Sequence, residues 1–173
     1  MNFFSIFKRN ILFKLKKKID IDKDQFKKDT DLDAIFNFYN TDKSNFLKNK
    51  KILGHGFSKF YEKHLSKFKN EQLNILEIGS FSGASAAAFA KYFPRSKIYC
   101  LDINLTKFVY KSQQIYPYGL DVSNKKSVEN FLKNIHFSEK IKFFDIIIDD
   151  GSHILSHQLK ALNYFFKHTK KKG

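Results

Sequence analysis

The feature that most constrains the fold is a series of short apolar runs, separated by helix-length segments, after residue 70. The runs have the length and composition of strands, and they are NILEI, KIYCLDI, IYPYGLD and FFDIIID. Helical patterns lie around them, namely SGASAAAFAKYF, the weaker LTKFVYKSQQ, KKSVENFLKNIH and ILSHQLKALNYFFKH. Strands that alternate with helices favour right-handed crossovers, so we predict an α/β fold built on a mainly parallel sheet.

The third of these runs, IYPYGLD, should lie at an edge of the sheet. It contains Pro117. Proline has no N–H with which to donate to a central ladder, and it is therefore confined to edge strands and bulges.

The length of 173 residues favours one principal domain with appendages. We divide the chain into a basic amphipathic segment and linker (1–30), a helical N-terminal cap (31–70) and the α/β domain (71–173). The cap contains two helical patterns, DLDAIFNFYN and FSKFYEKHLSKF, joined by the polar loop TDKSNFLKNKKILGHG. These helices would cover the sheet that follows.

The N-terminal segment has apolar residues at helical spacing, and lysines lie between them. The apolar residues are Phe3, Phe4, Phe7, Ile11 and Leu15. A basic amphipathic helix of this kind can rest on an anionic membrane surface, here through residues 1–18. The alternative is a helix that packs on its own domain or on a partner.

The formal net charge of +15 suggests nucleic acid as a partner, but the residues that carry the charge do not favour such a partner. Arg9 and Arg95 are the only arginines, and the lysines are scattered along the chain rather than gathered in a patch. We therefore expect no nucleic-acid partner.

Cys100 is the only cysteine, no apolar run approaches the roughly 18 residues of a membrane span, and the N-terminus is a poor secretion signal. We expect a soluble protein of the cytoplasm.

A glycine turn, EIGSFSGAS, joins the first predicted strand to its helix. Gly79 and Gly83 give the spacing G-x-x-x-G, which is neither the dinucleotide fingerprint nor a P-loop. Glu77, Asp102 and Asp121 lie at the ends of successive strands, where carboxylates accept hydrogen bonds from hydroxyl and ammonium donors but repel a pyrophosphate. The pattern indicates a ligand with a ribose, an adenine edge and positive charge. The alternative is ordinary turn and cap chemistry.

The string DIIIDDGSH (145–153) ends the fourth predicted strand at the same sheet edge. Ser152 or His153 could cap the helix that begins near Ile154. A purely structural alternative is that Asp149 or Asp150 serves only as a cap and that His153 only donates to a carbonyl. A base and a carboxylate at this edge also fit chemistry that activates a hydroxyl group as a nucleophile. Histidine titrates in the useful range, and a carboxylate-bound divalent cation lowers the pKa of a hydroxyl.

The chain resembles the class I S-adenosylmethionine-dependent methyltransferases through ILEIGSFSG, IYCLDI and GLDVSN, although Phe81 stands where many members have glycine. The resemblance implies a Rossmann-like three-layer sandwich. It also implies that Glu77 and the glycines surround the methionine half of the cofactor, Asp102 holds the ribose and Asp121 lies beside the adenine. The cofactor-binding residues implied are Glu77, Gly79, Ser80, Gly83, Ser85, Asp102, Asp121 and Asp149.

The strings TDK, HGF, FYEKHL, FPRSKIYCLDI and IDDGSHILSHQ, from Thr41 onwards, are similar to the metal-dependent macrolide sugar O-methyltransferases of the mycinamicin type. By that similarity Asp150 is a Mg²⁺ ligand, His153 is the general base, and the acceptor is a small molecule or glycan. His157 and Gln158 also match the family pattern, but the resemblance implies no role for them.

In such enzymes a fifth strand ending in Glu-Asp completes the metal site, whereas this sequence ends at FKHTKKKG. The resemblance therefore implies a C-terminally truncated sandwich with a partial metal site, either because the sequence is incomplete or because the polypeptide is a remnant, and we expect weak or absent activity from the chain as it stands. Two other functions stay open, namely a NAD-type Rossmann enzyme and a non-catalytic binding or membrane-surface remnant.

Overall fold

The structure is a computed structural model that describes residues 3–27, 29–49 and 51–170. Each predicted segment thus contains residues outside the described ones (1, 2 and 28; 50; 171–173), and the division at residues 30 and 70 stays a prediction. The helices are Phe3–Leu15 (α1), Leu32–Phe38 (α2), Ser58–Leu65 (α3), Ala84–Tyr92 (α4), Lys125–Glu139 (α5) and Leu155–Phe165 (α6). The strands are Ile19–Asp20 (β1), Phe46–Leu47 (β2), Ile52–Leu53 (β3), Asn74–Ile78 (β4), Lys97–Asp102 (β5), Tyr110–Lys111 (β6), Ile115–Gly119 (β7) and Ile146–Asp149 (β8).

The main sheet contains four of these strands in the order β7-β5-β4-β8, and every neighbouring pair is parallel. The predicted α/β fold with a mainly parallel sheet is confirmed. Strand β7 lies at one edge, so the placement that Pro117 predicted is also confirmed. Because the strands are parallel and in register, Asp102 faces Gly119 and Asp149 faces Ile78, and all four carboxyl ends meet at one edge.

Helices cover both faces of this sheet and give the three layers. Alternate strand residues enter two different cores, because successive side chains of a strand point to opposite faces. Ile75 and Ile98 pack with α2 and α4, whereas Leu76 and Tyr99 pack with α5 and α6. Burial on both faces explains why the strands are nearly continuous apolar runs.

The N-terminal cap packs on α4 through aromatic contacts. The rings of Phe36 and Phe89 meet edge to face with centroids 5.4 Å apart, and Tyr61 packs on Phe89 at the same distance. Helix α2 begins where the side chain of Asp31 accepts a hydrogen bond from the N–H of Ala34 at 2.6 Å. The predicted polar loop between the two cap helices contains a short antiparallel hairpin, β2-β3.

The prediction of a helix at LTKFVYKSQQ is wrong. The segment forms a 3₁₀ turn at Leu105–Lys107 followed by β6, which pairs in parallel with β1. The side chain of Asn104 accepts from the N–H of Thr106, an arrangement that favours a turn over a continued helix. The N–H of Ile19 donates to the carbonyl of Val109 at 2.8 Å. The backbone of the LTKFVYKSQQ segment therefore forms hydrogen bonds with another part of the chain rather than within a helix of its own.

Helix α1 packs on its own domain, as one of the two interpretations of the N-terminal segment predicted. The side-chain amide of Asn10 donates to the carbonyl of Gly119 at 3.1 Å, and the Arg9 guanidinium donates to the carbonyl of Ile103 at 3.3 Å. The ring of Phe13 meets Phe108 edge to face. Within the described part of the chain, no helix has the length and apolar character of a membrane span.

Candidate active site

A cavity of about 570 Å³ opens at the carboxyl edge of the main sheet. The loops that follow β4, β5, β7 and β8 form it, which is where open α/β sheets bind ligands. Four acids, Asp102, Asp121, Asp149 and Asp150, lie on its wall. The apolar part of the wall is formed by Ile78, Phe81, Leu101, Ile103, Leu120, Val122 and Ala161. This combination of a broad apolar surface with a few polar groups is typical of small-molecule sites.

Asp102 and Asp121 are held by hydrogen bonds from the loops that surround the cavity. The carboxylate of Asp102 accepts from the N–H of Phe81 and from the N–H of Asn104, each at 2.7 Å. Asp121 Oδ1 accepts from both the N–H and the hydroxyl of Ser123. Each carboxylate thus has a fixed orientation at the cavity and keeps further acceptor sites for a ligand.

Glycine is required at two positions of the turn between β4 and α4. Gly79 has a φ of +82°, and a Cβ there would lie 2.2 Å from the carbonyl oxygen of Asp150. Gly83 has a φ of +78°, and a Cβ there would lie 2.6 Å from the ring of Phe108. Phe81, between them, also has a positive φ of 44°, although it is not glycine. These conformations bring the turn against the loop after β8.

The loop after β8 places an acid, a serine and a histidine around the cavity rim. Asp149 Oδ1 accepts from the N–H of Gly151 at 3.1 Å, and Ser152 Oγ lies 2.8 Å from His157 Nδ1. His153 has a φ of +54° and an exposed side chain, with Nε2 4.0 Å from Asp150 Oδ1. The prediction that Ser152 or His153 caps α6 is wrong, because the N-cap is Ile154 and has no side-chain cap bond.

A second cavity, of about 470 Å³, lies between this edge and the N-terminal cap. Its wall includes Thr41, Lys43, Ser80, Ser85 and His153, and it shares Gly79, Phe81 and Asp150 with the first cavity. The two cavities therefore meet at the glycine turn and at Asp150.

The most unusual contact at this junction is a partly buried ion pair between Lys43 Nζ and Asp150 Oδ2. The Lys43 side chain is only 4% exposed, whereas that of Asp150 is 29% exposed. Burial alone would lower the pKa of Lys43, but Glu77 and Asp150 favour its charged form and raise that pKa overall. Lys43 thus remains an ammonium group between an acid of β4 and the acid after β8.

Glu77 is fully buried, and burial raises the pKa of its carboxyl against the opposing effect of Lys43. The hydroxyl of Ser85 donates to Glu77 Oε1. Glu77 Oε2 has no hydrogen-bond partner among the described residues. The carboxyl is therefore buried and forms no part of either cavity wall.

The structure brings most of the predicted site residues together. The first cavity is lined by Gly79, Asp102, Asp121, Asp149 and Asp150, and the second by Gly79, Ser80, Ser85, Asp150 and His153. Glu77 and Gly83 line neither cavity. His157 and Gln158, which had no role in the prediction, lie on the wall of the first cavity.

The sequence interpretation missed Lys43 and the apolar residues after β7. Lys43 belongs to the TDK string that carried part of the resemblance, but its partner is 107 residues away, so no local spacing could reveal the contact. For Leu120 and Val122 a signal existed, since both flank Asp121 directly after a strand.

The part of the chain that the structure describes contains no group of three or more His, Cys, Asp or Glu side chains that could hold a metal ion. Mg²⁺, however, is often held by only one or two carboxylates and several waters. Asp149 and Asp150 supply carboxylate oxygens of the required kind. A metal ion bound to Asp150 Oδ2 would have to displace Lys43 Nζ from that oxygen.

Comparison with known proteins gives consistent relatives, although no family profile matches the chain. The mycinamicin VI 2''-O-methyltransferase of Micromonospora griseorubida is 30% identical over 154 residues, which cover 83% of this chain and 34% of that protein. The L-olivosyl-oleandolide 3-O-methyltransferase of Streptomyces antibioticus is 30% identical over 69% of this chain and 31% of that protein. Among solved structures, the MycE methyltransferase of the mycinamycin pathway, in complex with Mg and SAH, matches with a TM-score of 0.67 and 28% identity over 82% of this chain and 35% of its own.

The chain spans about a third of the length of the curated relatives that it matches. Both the sequence identity and the shared sheet architecture extend over most of the described residues. The chain is therefore a homologue of the mycinamicin-type macrolide sugar O-methyltransferases, with the Rossmann-like fold of class I methyltransferases.

Proposed function

We propose that the chain is the cofactor-binding part of an S-adenosylmethionine-dependent O-methyltransferase that acts on a sugar hydroxyl. The observation that carries this proposal is the acid-lined cavity at the carboxyl ends of four parallel strands, in a homologue of sugar O-methyltransferases. The reaction transfers the sulfonium methyl to the hydroxyl oxygen, leaving a thioether on the cofactor and releasing the hydroxyl proton.

The first cavity would hold the nucleoside half of the cofactor. Asp102 would accept hydrogen bonds from the ribose hydroxyls, and the loop of Asp121 would lie beside the adenine, with Leu120 and Val122 against its faces. A carboxylate-lined site of this kind suits a ligand that carries a sulfonium and no phosphates. The cavity volume of about 570 Å³ lies within the usual range for small-molecule sites.

The methionine half would extend across the glycine turn into the second cavity. Ser80 and Ser85 line that cavity and offer hydroxyl groups, and Lys43 offers an ammonium group that a carboxylate of the ligand could share. The raised pKa of Lys43 supports a permanent positive charge there. Glu77 and Gly83 line neither cavity, and they would shape the glycine turn rather than contact the cofactor.

His153 would take the proton of the acceptor hydroxyl. It lines the second cavity beside Asp150, with Nε2 4.0 Å from Asp150 Oδ1. The remaining catalytic effect would come from holding hydroxyl, methyl and sulfur in line.

Asp150 would supply a carboxylate ligand to Mg²⁺, and Asp149 lies next to it on the wall of the first cavity. The MycE structure is a complex with Mg and SAH, and Mg²⁺ keeps several waters when one or two carboxylates bind it. When bound, such an ion lowers the pKa of a coordinated hydroxyl. A cytoplasmic location belongs to the same proposal, supported by the free, buried thiol of Cys100.

Titration calorimetry with S-adenosylmethionine tests the cofactor assignment. The full chain should bind it, and Asp102→Ala should abolish the binding heat. Because Asp102 also accepts two backbone N–H groups, Asp121→Ala serves as a second cavity variant, and thermal melts confirm that both variants fold. Glu129→Gln, which changes an exposed acid of α5, should bind as the unchanged chain does.

The same instrument separates the NAD-type alternative. Heat with NAD and none with S-adenosylmethionine would overturn the proposed cofactor. Absence of binding to either ligand would favour the non-catalytic alternative.

A further inference from the structure

Helix α1 has two faces with different partners. Its inner face is fixed to the domain by the hydrogen bonds of Arg9 and Asn10 and by the ring of Phe13. Its outer face has an apolar stripe at the i, i+3, i+7 and i+11 positions of one helix face, and every side chain in it is exposed. The stripe consists of Phe4, Phe7, Ile11 and Leu15, of which Phe4 is 75% exposed and Leu15 79% exposed.

Positive charge surrounds this stripe. The first 19 residues contain six basic residues and no acidic one. Lys8 and Lys14 lie on the helix beside the stripe, and Lys17 follows its end; all three are exposed. The two remaining lysines have other roles, because Lys16 donates to the carbonyl of Thr106 and Lys18 to the carbonyl of Phe13.

We propose that the outer face of α1 docks on an anionic lipid surface, with the helix lying parallel to the bilayer. An apolar stripe between lysines matches the layering of a bilayer surface, where acyl chains lie beneath anionic headgroups. A nucleic acid would match the lysines but not the stripe. The net charge of +15 opposes pairing of two copies through this face.

The helix is already formed and fixed before it meets the lipid. Amphipathic segments that fold only on binding lose part of their affinity to ordering, whereas α1 is ordered by the domain beneath it. The Arg9 contact also fixes its position relative to the site, since Ile103, whose carbonyl accepts that bond, lines the first cavity. Docking would therefore bring the rim of the candidate active site next to the lipid surface.

Vesicle co-sedimentation of the full chain tests this proposal. The chain should sediment with vesicles of phosphatidylcholine and phosphatidylserine and much less with phosphatidylcholine alone, and added salt should release it. The variant Lys8→Gln/Lys14→Gln/Lys17→Gln should bind the anionic vesicles on the order of a hundredfold more weakly, since each lysine near the surface contributes about a fivefold gain. Phe4→Ser/Leu15→Ser should lose about tenfold or more through its two apolar side chains.

The matched control is Phe137→Ser, which removes an equally exposed phenylalanine (81%) from α5 and should leave vesicle binding unchanged. Circular dichroism verifies that all variants are folded. No sedimentation of the folded chain with anionic vesicles would overturn the proposal, as would equal binding by the stripe variants and the control. A dimer by light scattering that Phe4→Ser/Leu15→Ser makes monomeric, without vesicle binding, would assign the stripe to a second copy instead.

Discussion

Replacing Lys43 by methionine removes the buried charge between Glu77 and Asp150 while it keeps a side chain of similar length. Breaking a fully buried ion pair by removing one partner costs about 3–5 kcal/mol. Here Asp150 is 29% exposed, so water compensates part of its lost partner, and Glu77, whose pKa is already raised, can take up a proton. We therefore expect Lys43→Met to lower the free energy of unfolding by about 2–3 kcal/mol.

Urea unfolding at neutral pH measures this change, with linear extrapolation to water. The control is Lys97→Met, which breaks the pair of Lys97 with Glu139 at 2.7 Å on the surface of the domain and should cost less than about 1 kcal/mol. Lys43→Met/Asp150→Asn should recover about 1 kcal/mol or more of the loss, because the second change removes the unpaired carboxylate. Equal costs for Lys43→Met and Lys97→Met would refute the assignment of Lys43 as the charge that balances the junction.

Three further predictions concern catalysis, the glycine turn and pH. His153→Ala should lower the rate of methyl transfer to a sugar hydroxyl by about 10²–10⁴-fold, with unchanged affinity for S-adenosylmethionine. The control His136→Ala, on α5, should change neither the rate nor the affinity. An unaltered rate in His153→Ala would exclude His153 as the general base. Gly83→Ala should destabilise the fold by about 2–4 kcal/mol in urea unfolding, through its positive φ and the Phe108 ring, while Gly151→Ala should cost much less. Burial lowers the pKa of His168 in the folded chain below 6.5. Between the pKa values of the folded and the unfolded chain, the unfolded chain binds more protons at this residue. The free energy of unfolding should therefore decrease as the pH is lowered below about 6.5, and it should decrease less in His168→Gln.

The main sheet could be predicted from the sequence because its signals are local. Each strand is a short apolar run, its helices have their own periodicity, and Pro117 alone places β7 at an edge. The short pair β1-β6 could not be predicted, since Ile19 and Tyr110 are far apart in sequence and neither segment has a distinct strand pattern.

The site was predictable to the extent that parallel strands bring their ends together. Asp102 and Asp149 are the last residues of their strands and Asp121 follows β7, so the topology places all three on one cavity. Glu77 lies one residue before the end of β4 and is fully buried. The Lys43–Asp150 contact depends on how the N-terminal cap packs on the sheet, and that packing has no local sequence signal.

The central claim, that the sheet-edge cavity binds S-adenosylmethionine, is tested most directly by NMR titration of the ¹⁵N-labelled chain. The account predicts that the amide signals of Gly79, Ile103 and Val122 shift on saturation, while those of Leu132 and Ile135, which line a separate cavity between α5 and the segment that follows it, stay in place. Shifts confined to residues outside the sheet edge, or an unchanged spectrum at high ligand concentration, would contradict it.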